Sequence, residues 1–161
     1  MNEVIMNKIQ LNFNKTFKLS NLIIECISIE GTENIYTKVY KMENYIKSKG
    51  ATPIGPLIQK TEYSVNDEGQ LDIKVYLMRQ ANNFIHNVES PYTMESVLRV
   101  RNCMYARYTG PEEKLKLAYD KINVTAFEED IELSNSNYTI FVDKQDDNIV
   151  ADIFVEKKTD E

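Results

Sequence analysis

One sequence pattern occurs twice in this chain and constrains its fold more than any other feature. A β-prone run, a glycine, an amphipathic helical segment and two alternating segments come once before residue 80 and again after residue 95. The first β-prone run ends at Gly31 and the second at Gly110, and each glycine precedes its hairpin by about the same distance. The duplication predicts an α+β fold of two strand-helix-strand-strand (βαββ) units with pseudo-twofold symmetry. The antiparallel sheets of two such units are expected to form a central cleft, which is a natural place for a ligand.

Length and composition predict a single domain spanning residues 1–161. A chain of this length can bury one sizeable core, and no Pro/Gly/Ser-rich linker separates the repeats, which cover about 10–80 and 96–157. The content of 42% hydrophobic and 27% charged residues is typical of soluble globular proteins. No window contains the roughly 18 apolar residues of a membrane helix, and the first residues do not resemble a signal peptide. We therefore expect a cytoplasmic protein with no membrane partner.

The charge pattern argues against a nucleic-acid partner. The net charge is −6 and the basic residues are scattered, whereas binding to phosphates needs clustered Lys and Arg. No helix-turn-helix segment is found before residue 20, and no basic recognition helix follows. The chain is therefore not expected to bind DNA by itself.

Each repeat is predicted to contain one helix that packs on the sheet. Thr32 is the predicted N-cap of the first helix, and Gly110-Pro111 is predicted to start the second. Apolar residues at helical spacing predict the buried faces: Ile35, Val39, Met42 and Ile46 in the first helix, and Leu115, Ala118, Tyr119 and Ile122 in the second.

Alternating apolar and polar residues predict the strands. The predicted strands cover about 22–29, 57–65, 71–78, 97–108, 138–142 and 149–155, with tight turns at 66–69 and 144–148. A polar connector is predicted at 79–96. It contains His86, the single histidine, which is expected to lie at the surface.

Several short motifs resemble the GyrI-like family, which includes the effector-binding domains of multidrug-responsive transcription regulators. Residues 104–115 (MYARYTGPEEKL) and 151–156 (ADIFVE) resemble the second half of this domain. Residues 28–31 (SIEG), 50–56 (GATPIGP) and 72–76 (DIKVY) resemble its first half. The resemblance spans roughly residues 10–157, and it implies the duplicated fold that the repeat predicts.

The resemblance also implies a binding function. Many GyrI-like proteins hold amphipathic or cationic small molecules in an aromatic cleft, where a glutamate on the last strand meets the positive charge. Asp152 occupies the matching position in this chain. A carboxylate among aromatic rings attracts a cation by its charge and by cation-π contact. The expected function is that of a stand-alone bacterial effector-binding module that holds a small amphipathic ligand, cationic ones included, in the cleft between the repeats.

The alternation of the last strand supports this placement of Asp152. Ala151, Ile153 and Val155 form one face, while Asp152 and Phe154 lie on the other. Two interpretations of Asp152 stay open at this stage. The carboxylate faces a ligand cleft, or it is an ordinary exposed group on a solvated sheet face.

Five further residues are candidates for the ligand site by the same alternation. Tyr76 and Met78 lie opposite the aliphatic row of the first hairpin, and counting back from the two glycines adds Tyr105, Cys103 and Cys26. Each of these side chains is individually more common as a packing residue than as a ligand contact. The two cysteines are expected to stay reduced.

The sequence lacks recognisable catalytic, metal-binding and nucleotide-binding motifs, so no metal or cofactor is expected. Two alternatives to ligand binding remain. The domain binds or inhibits another protein, such as DNA gyrase or a component of a secretion or toxin system, as the resemblance allows. Less favoured is a small-molecule hydrolase, in which Asp152 with Tyr76 or Tyr105 activates water.

Overall fold

A computed structural model describes residues 9–28 and 34–158. The elements, in chain order, are β1 (Leu11–Ile27), α1 (Ile35–Ser48), β2 (Pro53–Val65), β3 (Leu71–Ala81), β4 (Tyr92–Pro111), a 3-10 turn (Glu112–Lys114), α2 (Lys116–Glu128), β5 (Leu133–Gln145) and β6 (Asn148–Lys157). The fold is α+β, and the strand pairs described below are antiparallel, as predicted. The order strand-helix-strand-strand occurs twice, while the pseudo-twofold symmetry stays a prediction. In the described ranges, neither helix is long and apolar enough to cross a membrane.

The chain divides into two compact units, which we name after their helices. The α1 unit contains Lys18–Arg99, and the α2 unit contains the described residues up to Phe17 together with those from Val100 onward. β3 pairs with β1 and β2 in the α1 unit, and β6 pairs with β4 and β5 in the α2 unit. In each unit the last strand of the hairpin is therefore the middle strand of three.

The core of the α1 unit lies between α1 and the sheet. Ile23, Leu77, Met42 and Ile46 are fully buried there, which confirms the predicted face of the first helix. Its N-cap is Asn34, whose side-chain oxygen accepts a hydrogen bond from the Tyr36 N–H. The predicted cap Thr32 and the repeat glycine Gly31 lie outside the described residues.

The core of the α2 unit lies between α2 and the other sheet. Ala118 and Ile122 of α2 pack on Met104 of β4 and on Ala151 and Ile153 of β6, and all five side chains are fully buried. Burial of this apolar face stabilises α2, whose N-terminus has no side-chain capping hydrogen bond. The predicted inward face of the second helix is confirmed.

The predicted start of the second helix is wrong. Gly110 and Pro111 belong to β4, where they pair with Ile149 and Asn148 of β6. The Glu112 N–H then donates to the Asp147 carbonyl oxygen at 2.8 Å. Pairing with the first residues of β6, next to the hairpin turn, therefore extends β4. The helix α2 begins only after the 3-10 turn.

The first and fourth strands are longer than predicted. β1 is continuous from Leu11, and β4 begins at Tyr92 within the predicted connector, although His86 is exposed as expected. Asn21 and Asn102 interrupt the regular backbone of these strands with φ values of 53° and 56°. Asparagine tolerates this left-handed conformation better than other non-glycine residues, so a long strand can change direction without ending.

Candidate functional site

The sheet of the α2 unit has an aromatic group on the face opposite its helix. Phe17 of β1, Tyr105 of β4, Tyr138 of β5 and Phe154 of β6 form this group, which we call the aromatic face. The ring centroids of Phe17 and Phe154 are 4.5 Å apart, and those of Tyr105 and Phe154 are 5.0 Å apart. Phe17, Tyr138 and Phe154 are buried, while Tyr105 is half-buried.

Strand register explains why these rings meet. Tyr105 and Tyr138 both pair with Phe154, so the three residues form a row across β4, β6 and β5. Cross-strand neighbours on one face are close enough for aromatic contact. The next row on the same face is formed by Arg107, Asp152 and Ile140. The aromatic group therefore ends at a charged pair.

Asp152 is held by three hydrogen bonds. Arg107 donates from Nε to Oδ1 at 2.8 Å and from a terminal nitrogen to Oδ2 at 2.9 Å, which is a bidentate ion pair. The Tyr105 hydroxyl donates to Oδ1 at 2.7 Å. The Asp152 side chain is 15% exposed, whereas that of Arg107 is 53% exposed. The carboxylate thus lies beneath a guanidinium that still reaches solvent.

These contacts shift the pKa values of all three groups. Burial acts to raise the pKa of Asp152, but the hydrogen bonds from Arg107 and Tyr105 outweigh it, so that the pKa is lowered. Burial and the bond to Asp152 raise the pKa of Tyr105 to about 12. The carboxylate raises the pKa of Arg107. Asp152 is therefore ionised and both of its donors are protonated near neutral pH.

A second cation lies over the Tyr105 ring. The Lys15 ammonium is 4.2 Å from the ring centroid, within the range of a cation-π contact. Its charge also contributes to lowering the pKa of Asp152. Among residues 9–28 and 34–158, Lys15 forms no direct salt bridge. We call Lys15, Tyr105, Arg107 and Asp152 the charged cluster.

The lowered pKa of Asp152 predicts a change in acid stability. A carboxylate whose folded pKa lies below its unfolded pKa stabilises the protein above the unfolded value, and the effect is lost as the pH falls through the folded value. We expect the free energy of unfolding of wild type to be higher than that of Asp152→Asn, by an amount that stays constant from neutral pH down to about pH 4. The difference should shrink below that. Urea denaturation at several pH values measures it, and Asp143→Asn, at an exposed site on β5, is the control. A difference that does not change below pH 4 would contradict the assignment.

Three predicted site residues, Asp152, Phe154 and Tyr105, are brought into direct contact by the structure. Asp152 is not an ordinary exposed group, because its side chain is only 15% exposed and lies between the buried Phe154 and the half-exposed Arg107. Cys103 lies on the same face but one pair farther along, opposite Glu156. Burial raises the pKa of its thiol to about 12, so Cys103 is an unreactive packing residue.

The other three predicted residues lie in the α1 unit. Cys26 and Tyr76 are cross-strand partners, and Met78 is buried two residues farther along β3. The Tyr76 hydroxyl donates to Glu62 at 3.4 Å, and Lys60 pairs with the same carboxylate at 2.8 Å. The Lys60 ammonium lies 5.6 Å from the centroid of the Tyr76 ring. The α1 unit thus contains its own tyrosine, carboxylate and lysine in contact.

Sequence reasoning missed four residues of the site. Arg107 was available from alternation, because it lies two positions after Tyr105 and directly opposite Asp152 once the strands are paired. Tyr138 was available in the same way, because it lies opposite Phe154 in the predicted hairpin. Lys15 and Phe17 had no such signal, since they lie on β1, which is distant in sequence from β4 and β6. Within the described ranges, no group of three or more His, Cys, Asp or Glu residues is placed to hold a metal ion.

Comparison with known proteins identifies the fold. Neither a family model nor a curated protein matches this sequence. Among solved structures, the EcmrR C-terminal domain matches with a TM-score of 0.73 and 17% identity, over 95% of this chain and 99% of that one. The fold is GyrI-like. The family resemblance therefore predicted the fold of this chain.

Two other structures share this GyrI-like fold. The EcmrR–DNA complex matches with a TM-score of 0.67 and 18% identity, over 93% of this chain and 58% of that one. A hydrolase from Listeria innocua matches with a TM-score of 0.50 and 10% identity, over 94% of this chain and 92% of that one. Sequence identities this low carry the fold to this chain and leave its function to the site.

Proposed function

We propose that this protein is a small-molecule-binding module and that the charged cluster with the neighbouring aromatic face receives an amphipathic ligand. One observation carries this proposal: a half-buried tyrosine ring and a set of reachable charges border a buried aromatic group on the sheet face opposite the helix. Binding sites typically combine apolar surface with a few fixed polar groups, and the charged cluster offers the Tyr105 ring beside Arg107 and Lys15. The GyrI-like fold supports the proposal because the family resemblance implies effector binding.

The proposed ligand places its polar head at the accessible end of the site. Arg107 is half exposed and Lys15 is exposed, so both offer donors to a bound group. The apolar body then contacts the half-buried Tyr105 ring, on the face that Lys15 leaves when it turns to the head. Since Asp152 fixes Arg107 and Tyr105 through three hydrogen bonds, the polar groups are oriented before the ligand arrives.

A hydrolase is less well supported by the same geometry. Asp152 does lie beside a tyrosine hydroxyl, as that alternative requires. A general base at neutral pH, however, needs a carboxylate whose pKa is raised, and the pKa of Asp152 is lowered. Binding to another protein becomes the leading alternative if no small molecule binds.

Thermal unfolding tests the proposal with three probes that share one aromatic body: naphthoate, naphthalenemethanol and naphthylmethylammonium. We expect at least one probe, at tenfold above its Kd, to raise the Tm of wild type by about 3–6 °C. Tyr105→Leu removes the ring and hydroxyl of the site and should abolish the shift. Tyr40→Leu, on an α1 residue that is 67% exposed, is the matched control and should keep it. No shift with any probe, or an undiminished shift in Tyr105→Leu, would refute the proposal.

A further inference from the structure

The charged cluster already contains the contacts that a cationic ligand would make. A bound cation needs the Asp152 carboxylate as a counterion and the face of an aromatic ring as a second contact. In this structure Arg107 takes both oxygens of Asp152, and Lys15 lies over the ring of Tyr105. Both positions are therefore filled by cations of the chain itself.

The net charge of the charged cluster is positive. Arg107 and Lys15 carry one positive charge each, and Asp152 carries the single opposing charge. Glu156, the next carboxylate along this face of β6, lies four residues beyond Asp152, opposite Cys103. The excess charge is that of Lys15, which is exposed and forms no direct salt bridge within the described ranges.

The hydrogen-bond donors of the cluster, like its net positive charge, favour an anionic ligand. A guanidinium has five N–H donors, and Asp152 accepts from two of them, so a half-exposed Arg107 keeps donors for a second acceptor. Lys15 adds an ammonium. A carboxylate head on a ligand accepts hydrogen bonds from both groups, whereas an ammonium head would have to displace them.

From this geometry we infer that the site selects small aromatic molecules with an anionic head group, such as a carboxylate. The inference rests on the proposed function and specifies the ligand class for the same site. Arg107 and Lys15 hold the head, and Lys15, in turning from the Tyr105 ring to the head, leaves that ring face to the aromatic body. Asp152 serves as a positioning residue, because it aims Arg107 and does not itself meet the ligand.

The inference predicts an order of charge preference among variants that remove one charge each. The measured quantity is the ratio of the Kd of naphthylmethylammonium to that of naphthoate, obtained by isothermal titration calorimetry. We expect wild type to prefer naphthoate by about fivefold. Asp152→Asn should increase the preference, Lys15→Met should bring it close to one, and Arg107→Met should reverse it by exposing the carboxylate. Lys116→Met, on the helix face at a side chain that is 81% exposed, should leave it unchanged.

The outcomes separate this inference from the proposed function. If none of the three probes binds, the proposed function is overturned and the inference with it. These probes are naphthoate, naphthylmethylammonium and the neutral naphthalenemethanol. Tighter binding of naphthylmethylammonium by wild type, or equal binding of the two charged probes, overturns only the inference. A preference for naphthoate that is the same in Lys15→Met and Lys116→Met also overturns it, because the selecting charge would then lie elsewhere. Circular dichroism establishes that each variant is folded before its ratio is measured.

Discussion

Replacing Gly110 with alanine is expected to lower the free energy of unfolding by about 3 kcal/mol. Gly110 has a φ of +152°, which side-chain-bearing residues rarely adopt, and an added Cβ would lie 2.9 Å from the Tyr108 hydroxyl oxygen. Tyr108 cannot move away easily, because its side chain is fully buried and its hydroxyl donates to the Pro111 carbonyl oxygen. Urea denaturation of Gly110→Ala measures the cost.

Gly69→Ala is the matched control for this prediction. Gly69 also has a positive φ, at +78°, but a Cβ there would meet nothing within 4 Å. Its substitution therefore carries backbone strain without a steric contact, and we expect a cost of about 1 kcal/mol. Equal costs at the two glycines would show that Tyr108 does not constrain Gly110 and would remove the reason for the glycine at the end of β4.

Ile153→Ala should cost about 3–4 kcal/mol, because the fully buried side chain packs in the core under α2 and its removal leaves a cavity. The comparison is Phe127→Ala, which removes a larger side chain that is 84% exposed and should change the free energy of unfolding by less than about 0.5 kcal/mol. Because Ile153 and Asp152 are adjacent on β6, the result also tests which face of this strand lies under the helix. A tolerated Ile153→Ala would mean that the two faces are assigned the wrong way round.

Local patterns in the sequence were sufficient to predict most of the fold. The alternation of Asp152 with Ile153 placed them on opposite faces of β6, and the helical spacing of Ala118 and Ile122 predicted the buried face of α2. These predictions succeed because each depends on residues a few positions apart. The repeat and the short family motifs then supplied the order of the elements.

The predictions failed where pairing between distant segments decides the outcome. Gly110-Pro111 is a good start for a helix by local rules, but pairing with β6 keeps both residues in a strand. The carboxylate of Asp152 was placed on the right face, whereas its partner Arg107 and the nearby Lys15 were not foreseen. Strand register brings these charges together, and the inference of an anionic head group rests on them.

A titration with naphthoate followed by NMR tests the central claim most directly, because it locates the binding site by residue. We expect the backbone amide signals of Tyr105, Arg107, Asp152 and Phe154 to shift progressively and to saturate together. Signals of Lys116 and Phe127, on the helix that covers the opposite face of the sheet, should stay in place. Saturable shifts confined to these β4 and β6 residues are the predicted result. Shifts that occur only elsewhere, or none at saturating probe, would contradict a small-molecule site at the charged cluster.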